Sequence, residues 1–151
     1  NSIINFQNLL LSNCLINKDF LNQIPLSTDL KSYGGEELEW SFKVINNFPN
    51  SMFSSTKSIA RRINHPSYKL QLSKMIEFGE NNLGKLDKEL QVKVVKWEVL
   101  LKSRGFLKHL TNLCLWLCIK FYRLPLLQKK IIQLGYLTAI LKGYYNNIKK
   151  S

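Results

Sequence analysis

The residues of this chain best suited to chemistry are two glutamates directly after two glycines, in Tyr33-Gly34-Gly35-Glu36-Glu37-Leu38-Glu39-Trp40. Glycines let the backbone turn where a side chain would clash. A helical pattern starts at the acids, and the partial positive charge of a helix N-terminus favours ionised carboxylates there. A carboxylate fixed at the mouth of a loop has the makings of a general base. An ordinary acidic first turn has the same look, so the motif by itself leaves both readings open.

A second group follows in Arg61-Arg62-Ile63-Asn64-His65-Pro66. Paired guanidinium groups grip phosphate oxygens in a fork, although a solvated basic loop has this composition too. His65 is either a helix-cap histidine or a metal ligand. Cys14, Cys114 and Cys118 are an odd set without the spacing of a disulfide framework, which suits a reducing compartment. Cys114 and Cys118 share a helix face at a spacing of four and read as packed thiols rather than ligands. The chain has three aspartates, Asp19, Asp29 and Asp87, each isolated, and no Asp-x-Asp.

The elements that must position these residues follow from periodicity. Residues 9–16 form a short apolar run that reads as a buried strand. Asn17 is a suitable N-cap for a short helix to Ile24, and Pro25 ends it. A helix is predicted over 36–47, with Leu38, Phe42 and Ile45 as its apolar stripe. Residues 51–60 hold a weak strand signal at Met52, Phe53 and Ile59. Pro66 suits the first turn of a helix running to about Leu83. Leu86, Leu90, Val94, Trp97 and Leu101 predict one amphipathic helix, residues 106–124 an apolar one with basic ends, and Pro125 opens a last helix to about Tyr145. Beyond Gly84 the chain therefore reads as three helices.

Charge divides the chain at the same place. Residues 1–84 carry eight Lys/Arg against seven Asp/Glu, whereas residues 85–151 carry fourteen against three, and the whole chain has a net charge of +12. That asymmetry points to an anionic surface, lipid or nucleic acid, for the C-terminal part. At 45% hydrophobic residues the chain can build a core and is not a disordered tail. No signal peptide is read at the start. The charge-free runs 109–119 and 131–141 fall short of the ~20 residues a membrane span needs.

Taken in order, these motifs resemble bacterial family 2 glycosyltransferases of the GT-A fold. Ser12-Asn13 matches the Ser/Thr-Asn pair of a strand, Lys18-Asp19-Phe20 the segment after it, and Gly34-Gly35-Glu36-Glu37 the acidic motif that opens a helix. The likeness covers residues 10–83; the basic tail, with Leu134-Gly135-Tyr136, is loosely similar to the C-terminal extension of such enzymes. The resemblance implies an α/β fold: the C-terminal part of a GT-A (Rossmann-like) domain, predominantly helical in this stretch, in residues 1–84, followed by a helical extension in 85–151. It implies inverting transfer of a sugar from a nucleotide-sugar donor to a glycan or lipid-linked acceptor in polysaccharide synthesis. Glu37 would be the base, with Glu36 orienting the acceptor or holding the loop. Asn13, Gly34, Gly35 and Trp40 would lie on the acceptor side. Arg61, Arg62 and His65 would lie near the donor diphosphate, His65 as a candidate ligand for Mg or Mn.

Two departures stand out. The family more often has aspartate where Glu37 stands, and glutamate reaches farther by one carbon–carbon bond, ~1.5 Å. The Asp-x-Asp that binds the donor metal is missing, and the first residue is Asn1, so the expectation is a C-terminal fragment that does not transfer sugar alone. The resemblance implies a cytoplasmic protein, peripheral on the inner face of the plasma membrane. Residues 106–123, with Lys108, Lys120 and Arg123 at the ends of an apolar stripe, suit either an interfacial helix or a core helix. The rival from another class is a basic helical module that binds nucleic acid or membrane without catalysis. No recognised nucleic-acid motif is present, so no nucleic acid is expected.

Overall fold

In the computed structural model, which describes residues 2–5, 7, 14–30, 32–55, 64, 66–102 and 106–148, the chain is predominantly helical. It divides into two compact units. One comprises Asn1–Leu30 and Gly35–His65, the other Lys31–Gly34 and Pro66–Ser151.

The first unit holds β1 (Ser2–Ile3), α1 (Lys18–Gln23), α2 (Glu36–Asn47) and β2 (Phe53–Ser54). β1 and β2 pair antiparallel, with Ser2 opposite Ser54 and Ile3 opposite Phe53, and this is the sheet found among the described residues. Most of the run 9–16 lies outside the described residues, and Cys14–Ile16, which are described, belong to no strand. Asn17 caps α1 as expected: its side chain accepts from the Asp19 N–H at 2.8 Å. α2 has the predicted bounds. Its C-terminus closes with the Phe48 N–H on the Val44 carbonyl, and Phe20 packs at 4.7 Å from the Phe48 ring. The core is built on Trp40, Val44 and Met52, with Ile4, Ile16, Phe20, Leu21, Ile24 and Ile45 against them.

The second unit holds α3 (Tyr68–Asn81), a 3-10 turn (Leu83–Lys85), α4 (Lys88–Val95), α5 (Glu98–Lys102), α6 (Phe106–Phe121) and α7 (Gln128–Asn147). α7 packs along α3 on one side and α6 on another. The crossing of α3 and α7 is close enough that a methyl at Gly79 would overlap the Ile140 carbonyl, and one at Gly143 the Ile76 carbonyl. Each helix thus lacks a side chain where the other's backbone passes. Tyr68, Leu72, Leu115 and Ala139 form the core of these three helices, with the Tyr68 and Tyr122 rings stacked at 4.7 Å. The composition break at Gly84 separates 1–84 from 85–151, whereas in the fold α3 belongs with the C-terminal helices.

Three helix starts or courses differ from the sequence reading. Pro66 lies outside α3, because the Ser67 hydroxyl caps the helix by accepting from the Leu70 N–H at 3.3 Å. The single helix over 86–101 is broken: Lys96 is left-handed (φ 69°), its N–H closes on the Val92 carbonyl, and the chain restarts as α5. The break rotates the stripe, so Leu86, Leu90 and Val95 are buried while Trp97 faces solvent. α7 begins three residues beyond Pro125, after turns closed by Leu124 and Leu127. Among the described residues beyond Gly84 there are therefore four α-helices rather than three.

Candidate functional site

The division between the units falls between Gly34 and Gly35, so each half of the glycine–acid motif is held by its own unit. In the second unit, residues 32–34 are pinned to the end of α3. The fully buried Asn82 donates from Nδ2 to the Ser32 carbonyl at 2.9 Å and to the Gly34 carbonyl at 2.7 Å. The Tyr33 N–H donates to Glu77 Oε1 at 3.4 Å, and Lys74 Nζ stands 4.5 Å from the centre of the Tyr33 ring. Gly34 (φ 81°) and Gly35 (φ 108°) are both in the region where an L side chain is strained, which is why this turn takes glycine twice.

In the first unit, Gly35 is the N-cap of α2 and has no side chain to cap it. Three acids occupy the first turn: Glu36, Glu37 and Glu39. Glu39 is engaged in an ion pair with Lys43 at 2.9 Å, one turn on. Glu36 and Glu37 are each half-buried, accessible in the first turn of a twelve-residue helix.

Glu37 also has a neighbour from a distant part of the sequence. Partial desolvation, and then the charge of Glu37, push the Cys14 thiol above its ordinary value. A thiol raised in this way stays protonated and is a poor nucleophile or metal ligand.

Trp40, which the resemblance places on the acceptor side, is core. Its ring is buried and its indole N–H donates to the Ile24 carbonyl at 2.6 Å, so it offers no open face to a sugar and instead ties α2 to the end of α1. Asn13, Arg61, Arg62 and His65 lie outside the described residues. Among the described residues no three His, Cys, Asp or Glu side chains come together to hold a metal ion. Cys118 is a packed thiol, pushed up by burial and then by Cys114.

Asn82 is marked by no motif in the sequence. Asn82 ends the predicted helix in Asn81-Asn82-Leu83-Gly84, where asparagine looks like an ordinary terminus, and only the fold shows its amide turned to a loop some fifty residues earlier. No family model, curated protein or solved structure matches the chain.

Proposed function

We propose that this chain is the acceptor-side part of an inverting glycosyltransferase with a GT-A domain, and that Glu37 is its general base. The acceptor hydroxyl gives its proton to the Glu37 carboxylate as its oxygen attacks the anomeric carbon of a nucleotide-sugar. The bond from that carbon to the diphosphate breaks, and the nucleoside diphosphate leaves from the opposite face. Glu36, its neighbour at the start of α2, orients the acceptor or holds the loop.

One observation carries the reading. Glu37 stands, accessible, at the glycine-capped start of α2, and its charge is felt by the Cys14 thiol. Among the described residues no cluster of His, Cys, Asp or Glu is placed to hold the divalent cation that the resemblance implies. No described helix is long and apolar enough to cross a membrane, and the location we propose is peripheral, on the cytoplasmic side.

The test is kinetic and uses the full-length gene product. Loss of a positioned base lowers kcat by about a hundredfold to ten-thousandfold, so Glu37→Gln should fall in that range while Glu37→Asp, the residue more usual in the family, keeps most of the rate. Glu36→Gln should raise KM more than it lowers kcat. Equal activity of Glu37→Gln and the parent would remove Glu37 from the mechanism.

A further inference from the structure

α6 is apolar on both sides. Its inner side buries Thr111, Leu115 and Cys118 against the rest of its unit. A second row, Leu110, Leu113, Leu117 and Phe121, recurs at intervals of three and four and is exposed, with Trp116 beside it at 55% exposure. Helices apolar all round are normally buried all round. Here the outer row continues past the helix end into a turn where Leu124 and Leu127 are exposed and Leu126 is 98% exposed. A single exposed leucine is ordinary, but a row of this kind marks an interaction surface.

The charge around that row selects the occupant. From Val99 to Ser151 the chain has no acidic residue and ten Lys/Arg. Lys120 lies within the row, its Nζ 5.0 Å from the centre of the Trp116 ring, and Arg123, Lys129 and Lys130 flank the exposed turn. A second copy would bring the same cations face to face without an acid in either stretch to offset them. A nucleic acid would satisfy the cations but leave the leucines in water. An anionic bilayer takes both: leucines and tryptophan enter the headgroup–acyl boundary while the amines meet the phosphates. With sixteen residues α6 is ~24 Å long, short of a ~30 Å hydrocarbon core, so it would lie along the surface.

We propose that the outer face of α6 and the turn over residues 122–127 dock this protein on an anionic lipid surface. Nothing in the docking requires Glu36 or Glu37, so it stands or falls separately from sugar transfer.

The experiment is flotation of the full chain with phosphatidylcholine vesicles, with and without phosphatidylglycerol, alongside sedimentation of the chain alone. The chain should float with the anionic vesicles, much less with neutral ones, and more weakly as salt rises. Trp116→Glu and Leu126→Glu replace exposed side chains, so helical circular dichroism should be unchanged while vesicle affinity drops about tenfold or more. Changing Lys120, Arg123, Lys129 and Lys130 to Gln should cost about fivefold per residue on anionic vesicles and little on neutral ones. Failure of the folded parent to float would overturn the proposal. So would equal flotation on both vesicle types, or a dimer in solution that Trp116→Glu splits, which would make a second copy the occupant.

Discussion

The two units of this molecule are built on opposite principles. The first is organised around one large side chain: Trp40 fills the space among α1, α2 and the segment before β2, and its indole nitrogen is satisfied by the end of α1. The second is organised around missing side chains: α3 and α7 approach so closely that Gly79 and Gly143 leave no room for a methyl. A unit whose described elements are mostly short needs a big apolar anchor, whereas a pair of long helices gains most from backbone proximity and continuous packing.

Volume changes should therefore act oppositely in the two places. Removing the anchor with Trp40→Ala should cost about 3–5 kcal/mol, read as a loss of urea resistance together with the near-ultraviolet signal of the buried indole. Adding a single methyl with Gly79→Ala or Gly143→Ala should cost about 1–3 kcal/mol, because helix backbones, not flexible side-chain ends, must move apart. If Gly79→Ala proved neutral, the close crossing of α3 and α7 would be wrong.

A smaller effect sharpens the contrast through pH. Burial, followed by Cys118 and Tyr136, pushes the Tyr68 hydroxyl up from its ordinary value of 10.0 to about 12. A hydroxyl harder to ionise in the folded state than in the unfolded one adds stability that is complete below pH 10 and is lost as pH rises through about 12. Tyr68→Phe should flatten the fall of stability across that window. Alkaline urea titrations of the two proteins would show it, and an unchanged slope would place Tyr68 outside the core.

Legibility in the sequence followed the same division between local and distant causes. The bounds of α2 were readable because glycines precede it and acids fill its first turn, and α1 because Asn17 is a capping residue followed by a helical pattern. The break at Lys96 was not, since a left-handed lysine leaves no glycine or proline to mark it and the apolar spacing runs on unbroken through Trp97. Nor was the role of Trp40: an aromatic beside an acidic motif invites a sugar, and only the packing of α1 shows that the ring is spoken for. In the candidate site the acids and glycines were legible because their chemistry is local. Asn82, which fixes the loop, and Cys14, which feels the charge of Glu37, were not, because both depend on residues more than twenty positions apart.

The most direct measurement is transfer of sugar from a nucleotide-sugar to an acceptor by the full-length gene product, comparing the parent with the double variant Glu36→Gln/Glu37→Gln. Proton removal by Glu37, with Glu36 beside it, predicts that turnover drops about a hundredfold or more while the helical spectrum and the urea midpoint stay in place. Turnover equal to the parent's would contradict it.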